Sequence, residues 1–459
     1  SSADTGEFST GIELNAIQRS NPEMQKRVAN AIRGTVENDE NCIVSIHDHG
    51  AGGHLNCLTE LVEETGGFIE LDNLPIGDPT LSNKEIIGNE SQERMGLIIK
   101  RENIHEFIQI CERERAPVYI VGKVTDDGRF TIYSEKTNLK CVDLDLGHFF
   151  GSSPQTILKD KSVSKKYNQI KYSTKLVHRY VEQLFSLESV GCKDWLTNKV
   201  DRCVGGKVAK QQCVGELQLP LNNCGVMALD FSTTHGVATS IGHSSISALI
   251  DPESGSKNSI AEALTNIIWA PIENNLKGVS LSANWMWPCR NYGEDARLYK
   301  AVDSLSKFAI ELGINIPTGK DSLSMNQKYE DIEVKSPGTV IISATAHCSD
   351  IYNIIEPPLK ANKGSVFYIN LSSDDYKLGG SAFSQIIGNI GVDTPTINDS
   401  KYFLNVFDTI QKMIKKKLII SGHDVGSGGL ITTLMEMCFS TNNIGAKIDL
   451  TSLNEKDSV

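Results

Sequence analysis

A strand-to-loop-to-helix signature occurs twice in this chain, so any fold it adopts must build that unit two times. The first copy runs Ile43-Val44-Ser45-Ile46-His47-Asp48-His49-Gly50-Ala51-Gly52-Gly53. The second runs Leu418-Ile419-Ile420-Ser421-Gly422-His423-Asp424-Val425-Gly426-Ser427-Gly428-Gly429. Each apolar run ends in His-Asp, passes through G-x-G-G and opens a helical stretch containing Leu58 and Glu60, or Leu434 and Glu436. Seven of the fifteen positions counted from His47 and from His423 are identical. A helical pattern precedes each copy, Met24 to Val36 and Tyr402 to Lys415. A polar glycine turn repeated at the same place points to two related sites.

The repeat also sets a register. Leu378-Gly379-Gly380-Ser381 precedes His423 by 44 residues, counted from Gly379, and the equivalent point in the first copy falls at residue 3. The second copy reaches Val459 before any counterpart of Glu85 to Arg94. This register predicts an internal fragment of a longer protein. At 459 residues the chain exceeds one core, and about 150 residues per domain predicts about three.

The predicted boundaries are 1–150, an α+β unit; 151–200, a Lys- and Ser-rich connection with a helix over Leu176–Leu187; 201–356, with strands and two strong helices; and 357–459, opening after Pro357-Pro358 with a strand over Ser365–Leu371. In the first unit, Val118–Thr125 and Arg129–Ser134 read as strands joined by a turn at Asp126-Asp127-Gly128.

Charge and cysteine usage narrow the function. A net charge of −12 argues against nucleic acid as a partner, although backbone N–H groups bind small anions whatever the global charge. Eleven scattered cysteines, none spaced C-x-x-C, fit reduced thiols of a cytoplasmic protein. No apolar run approaches the length of a membrane span.

In the two turns, glycines at positive φ let N–H groups converge on an anion, and Asp48 or Asp424 can hold Mg²⁺ against phosphate oxygens. The plain alternative is a tight strand–helix turn with Asp as helix cap. Recurrence of the His-Asp pair favours a ligand-facing turn, with His47 and His423 in supporting roles. Glu262 and Asn266 are four apart on a helix, so their oxygens share a face and suit a hard cation. On spacing alone a solvated face is the favoured account of that pair. Pro317 to Met325 contains Gly319-Lys320-Asp321-Ser322, without the glycine spacing of a P-loop; Lys320 either meets a phosphate or sits in a polar turn. Ile86 to Arg94 is dense in polar side chains, Gln92 and Arg94 among them. Trp285-Met286-Trp287 reads as core or interface.

Taken together, these strings resemble phosphoribosylformylglycinamidine synthase of the long, single-chain type, a family of purine biosynthesis. The resemblance rests on Gln18-Arg19, Asn21-Pro22-Glu23-Met24, Ile46-His47-Asp48 with Gly50-Ala51-Gly52-Gly53, and Asn89-Glu90-Ser91-Gln92-Glu93-Arg94. It continues through Gln212-Cys213-Val214-Gly215, Glu262-Ala263-Leu264-Thr265-Asn266, Leu281 to Met286, Gly319 to Met325 and Leu378-Gly379-Gly380-Ser381.

The resemblance implies an α/β (α+β) fold of duplicated, pseudo-twofold architecture, of the aminoimidazole ribonucleotide synthetase-like superfamily, with alternating N-type and C-type domains. The chain then spans the first C-type, the second N-type and part of the second C-type domain. It implies a ligase that uses ATP to activate formylglycinamide ribonucleotide as an iminophosphate, which ammonia from glutamine converts to the amidine. It further implies an auxiliary Mg²⁺–nucleotide (ATP or ADP) site with Asn223, Glu262, Asn266 and Asp424 as metal ligands and Asn222 and Gly426 on the nucleotide. By symmetry Asp48, Gly50, Gly52 and Gly53 would serve the active-site ATP, with Gln92 and Arg94 near substrate. The family pattern has Asp where this chain has Asn223, and Ser-Asp before the glycines is replaced in Gly426-Ser427-Gly428. The family's catalytic His and its glutaminase Cys belong to an upstream synthetase domain and a downstream glutaminase domain, so no catalytic residue is assigned here. The competing expectation is a non-catalytic ADP/Mg-binding scaffold or regulatory half.

Overall fold

Asn21 accepts the Met24 N–H at 3.1 Å and Pro22 fills the first helical position, so α1 (Pro22–Val36) starts where a cap and a fixed φ coincide. The computed structural model describes residues 21–90, 93–151, 157–163, 166–361, 363–372, 376–453, 455 and 459. Gln18-Arg19 and Ser91-Gln92 lie outside the described residues. The chain divides into two compact units, Ser1–Ile157 and Leu158–Val459.

In the first unit, β1 (Ile43–Asp48) runs into the glycine turn and α2 (Gly53–Leu61), followed by β2 (Gly67–Glu70). A Ser82–Glu85 capping box opens α3 (Asn83–Ile87), and β3 (Met95–Ile99) returns to pair antiparallel with β1. Next come α4 (Ile104–Arg113), β4 (Gly122–Val124), β5 (Arg129–Ser134) and β6 (Leu139–Asp145). The second sheet has the order β4-β2-β5-β6, with Phe130 and Ile132 of β5 fully buried against Leu58, Ile69 and Ile87. The strands around Asp126-Asp127-Gly128 are thus not hairpin partners: β4 and β5 pair on opposite sides of β2, antiparallel and parallel.

The second unit contains α5 (Val177–Ser186), then β7 (Val208–Lys210), β8 (Gly225–Ala228) and β9 (Gly236–His243). Asp251 accepts the Ser254 N–H at 3.0 Å and Pro252 occupies the first turn of α6 (Pro252–Ile267). β10 (Val279–Met286), α7 (Glu294–Leu312), β11 (Asn315–Ser322) and β14 (Thr339–Cys348) complete a six-stranded sheet, and β12 (Asn326–Tyr329) and β13 (Ile332–Lys335) form a separate hairpin. The large sheet has the order β11-β10-β14-β9-β8-β7, parallel only between β10 and β11. Ile260, Ala263, Leu264 and Ile267 of α6 are fully buried in the core over this sheet. α8 (Ser400–Lys415) and α9 (Gly429–Phe439) follow.

Four expectations change. Gly319-Lys320-Asp321-Ser322 is strand, not a polar turn, because it pairs in parallel with β10; a Cβ on Gly319 would lie 2.2 Å from the Ala283 carbonyl oxygen. Among the described residues the apolar run Leu418–Ile420 joins no ladder, whereas its counterpart β1 does. A backbone needs a partner strand to be a sheet member, and β1 has one in β3. Ser365–Leu371 likewise carries no strand, and of Val118–Thr125 only Gly122–Val124 pairs.

Candidate functional site

At the second turn, close helix–strand packing places the first acid. A Cβ on Gly242 of β9 would sit 2.3 Å from both Ala263 N and Ser259 O, so only glycine lets α6 lie directly on the strand. Glu262 then reaches the strand end, where its Oε2 accepts the His243 N–H at 2.7 Å. Asp424 arrives from the loop before α9, its backbone oxygen held by Thr433 Oγ1 at 2.9 Å. A Cβ on Gly426 would be 3.7 Å from Asp424 Oδ2 and 3.9 Å from Glu262 Oε1, so two carboxylate oxygens face one small space. Burial first, and then the Asp424 charge, pushes the Glu262 carboxyl up to about 7, against the His243 hydrogen bond.

His423 organises the back of this site. Its Nε2 is 3.0 Å from Glu436 Oε2, and its Nδ1 is 2.5 Å from Asn223 Oδ1 and 3.3 Å from Asp424 Oδ1. Burial works against the charged ring, yet the Asp424 and Glu436 carboxylates hold its pKa at about 9. Asn223 is buried, and its Nδ2 donates to Gly422 O at 3.0 Å. An aspartate there would have nothing to donate to that carbonyl. Asn266 donates its Nδ2 to Glu262 O at 3.0 Å, leaving its carbonyl oxygen for a ligand. Asn222 donates to Gln211 O at 2.7 Å. Lys320 donates to Asp321 O and Ser322 Oγ on its own strand and makes no described hydrogen bond to Glu262 or Asp424.

The oxygen donors fit a hard divalent cation. Glu262 Oε1 and Asp424 Oδ2 are clear of the contacts above, and two converging acids, of which His423 pairs with Asp424, leave a charge that such a cation relieves. Among the described residues no group of three or more His, Cys, Asp or Glu side chains is arranged around a metal. Two converging carboxylate oxygens match Mg²⁺, which keeps several water or phosphate oxygens in its shell.

The first turn repeats the plan with one acid. A Cβ on Gly50 would be 3.8 Å from Asp48 Oδ2. Gly52 and Gly53 have φ of +82° and +60°, and a Cβ on Gly53 would lie 2.5 Å from the Asn89 carbonyl oxygen. The turn therefore lies against the Ile86–Arg94 segment, where Gly52 N–H donates to Glu90 Oε1 at 3.4 Å and His49 N–H to Arg94 O at 3.1 Å. The structure thus joins the first turn to Arg94 and the second turn to Glu262, Asn223 and Asp424. His47 is gripped through Nε2 by Glu60, as His423 is by Glu436, each acid thirteen residues downstream. The identity of Glu60 and Glu436 between the copies was the signal for that clamp. The His49–His54 contact at 2.7 Å has no such signal, because neither residue recurs in the second copy.

A family model described as AIR synthase related protein, C-terminal domain, matches residues 1–135 and 364–458, half of the chain and both turns. Another, FGAR-AT PurM_N-like domain, matches residues 192–347. Probable phosphoribosylformylglycinamidine synthase, chloroplastic/mitochondrial, of Arabidopsis thaliana is 36% identical over 98% of this chain. The phosphoribosylformylglycinamidine synthases of Homo sapiens and Dictyostelium discoideum are 36% and 38% identical over 97% of it. This chain belongs to the phosphoribosylformylglycinamidine synthase family. It spans 33% of the length of the Arabidopsis relative and 34% of the other two.

Among solved structures, PurLQS from Thermotoga maritima has a TM-score of 0.58 at 18% identity, covering 77% of this chain and 54% of that one. T. maritima PurL complexed with ATP gives 0.56 at 18%, covering 77% and 53%. PurL complexed with FGAR gives 0.56 at 18%, covering 74% and 51%. At that identity the likeness is one of fold, and it bears out the mixed α/β synthetase architecture expected for this family. Among the described residues no helix is long and apolar enough to cross a membrane.

Proposed function

We propose that this chain supplies nucleotide- and substrate-binding parts of the ATP-dependent ligase that converts formylglycinamide ribonucleotide, glutamine and water to formylglycinamidine ribonucleotide and glutamate, with ATP going to ADP and phosphate. The observation that carries this is the pair of free carboxylate oxygens, Glu262 Oε1 and Asp424 Oδ2, facing one space beside Gly426. Glu262, Asp424 and Asn266 would hold Mg²⁺, which supplies neutralisation of nucleotide phosphate charge. Asn223 braces His423, which turns one oxygen of Asp424 inward and leaves the other for the metal. Asn222 and Gly426 would contact the nucleotide. Lys320 already donates to Asp321 O and Ser322 Oγ and would offer its remaining N–H to a phosphate.

The first turn is the substrate-side counterpart in this proposal. Asp48 with Gly50, Gly52 and Gly53 would take the reacting ATP, and Gln92 with Arg94 the formylglycinamide ribonucleotide. Relatives carry names of synthases about three times this length, which supports partner domains for catalysis and glutamine hydrolysis. Eleven free cysteines support a reducing compartment such as the cytoplasm.

Calorimetric titration with Mg·ADP tests this proposal. Saturable, Mg²⁺-dependent binding is expected, and Glu262→Ala should abolish it. Absence of binding in the wild-type protein, or unchanged affinity in Glu262→Ala, overturns the assignment of the second turn.

A further inference from the structure

Arg94 immediately precedes β3 and is half-buried, and burial lowers its pKa. Among the described residues no carboxylate pairs with it. A guanidinium withdrawn from water without a counter-charge is costly unless an anion completes it.

The groups behind Arg94 are arranged in a fixed donor order. A guanidinium only donates, so His54 Nε2, 3.3 Å from Arg94 Nη1, is an acceptor. The His54 proton is then on Nδ1, which faces His49 Nε2 at 2.7 Å. His49 must in turn carry its proton on Nδ1, a buried N–H with no hydrogen-bond partner among the described residues. The two rings, 5% and 4% exposed, meet edge to face with centroids 4.6 Å apart. The His49 backbone N–H donates to Arg94 O at 3.1 Å, so main chain and side chain both tie the turn to Arg94. This chain of contacts fixes one guanidinium nitrogen and leaves the remaining donors of a planar fork, the geometry that receives phosphate or carboxylate.

We propose that His54, braced by His49, is a positioning residue that presets Arg94 to bind an anionic group of the substrate, a phosphate monoester on a ribose. The inference rests on the assignment of Arg94 to the substrate. His54 brings no charge of its own, since its Nε2 accepts from the guanidinium and burial pushes its imidazole down to about 4. The rings therefore act by direction and by excluding water, and the positive charge stays on Arg94.

Calorimetric titration with ribose 5-phosphate, with the thermal midpoint followed in parallel, tests this. His54→Leu is expected to weaken binding about tenfold or more, the range of a lost hydrogen bond to a charged group. His54→Gln, which offers both an acceptor and a donor, should recover most of that loss. If His54→Leu does not fold, His49→Leu carries the test, since it leaves His54 in contact with Arg94 but unbraced, and weakening is again expected. Weak binding in Arg94→Leu with wild-type affinity in the folded His variants overturns the positioning role and leaves Arg94 as a substrate residue. Unchanged affinity in Arg94→Leu, or no saturable binding to the wild-type protein, overturns the assignment of Arg94 and this inference with it.

Discussion

An ionised Glu262 is opposed by burial and by Asp424, and favoured only by the His243 N–H and by whatever cation the site holds. Its folded pKa of about 7 is above the ordinary 4.5. The folded state therefore keeps a proton that the unfolded chain releases. Stability without divalent cation should fall as pH rises from about 4.5 to 7 and stay low above that. His423 has the opposite charge but also a raised pKa, so its contribution is full below 6.5 and is lost as pH rises towards about 9. Glu262→Gln should flatten the lower window and stabilise the metal-free protein at pH 8 by roughly 1–3 kcal/mol. Urea unfolding at pH 5 and pH 8 in chelator checks it; a variant with the wild-type slope contradicts the assignment. At this scale the sequence showed the His-Asp pairs and the i, i+4 spacing of Glu262 and Asn266. Spacing alone did not show that Glu262 meets Asp424, because 162 residues separate them; only the family resemblance grouped the two, and tertiary packing brings both beside Gly426.

One side chain ties α8 to the chain segment after α6. Gln411 is fully buried, its Oε1 accepts the Ile272 N–H at 2.7 Å, and its Nε2 donates to Ile268 O at 2.6 Å and Ala270 O at 3.0 Å. Gln411→Leu would leave three backbone groups buried without partners, at about 1–3 kcal/mol each, less than additive after relaxation. A loss of about 3 kcal/mol or more in unfolding free energy is expected. Equilibrium denaturation measures it, and a loss below about 1 kcal/mol would show that water replaces the lost contacts. The helices themselves were legible: α4, α7 and α8 announce their apolar spacing, and Asp399 accepts the Tyr402 N–H at 2.8 Å as a cap should. Strands were less so, because pairing is not local. Leu418–Ile420 and Ile43–Ile46 look alike in sequence, yet only the second finds a partner strand, in β3. Polar Gly319 to Ser322 joins a sheet because β10 lies beside it. Gln411 reads as one more polar helix residue until its three backbone partners are seen.

At the scale of the whole molecule the two turns share a plan but not a charge. Both pack a His onto a downstream Glu and point an Asp oxygen at the first glycine of the turn. The second adds Glu262 from a separate helix, and its Asp424 side chain is 11% exposed. The first has only Asp48 at its first glycine among the described residues, 70% exposed, with Glu90 turned to the Gly52 N–H, and spends its extra polar side chains on the His49–His54–Arg94 chain of contacts. An exposed single carboxylate binds a hydrated divalent cation weakly, because water screens the attraction and no second acid shares the load. Two converging, mostly buried acids hold it far better, since binding also removes their mutual repulsion. Duplication has thus produced one turn with two converging acids and one tied to a guanidinium. Mn²⁺, which takes the same oxygen ligands, makes the difference countable by electron paramagnetic resonance in the presence of ADP. One tight Mn²⁺ per chain is expected, lost in Glu262→Gln and retained in Asp48→Asn. Two equivalent ions, or loss of the tight ion in Asp48→Asn, would instead place the stronger cation site at the first turn.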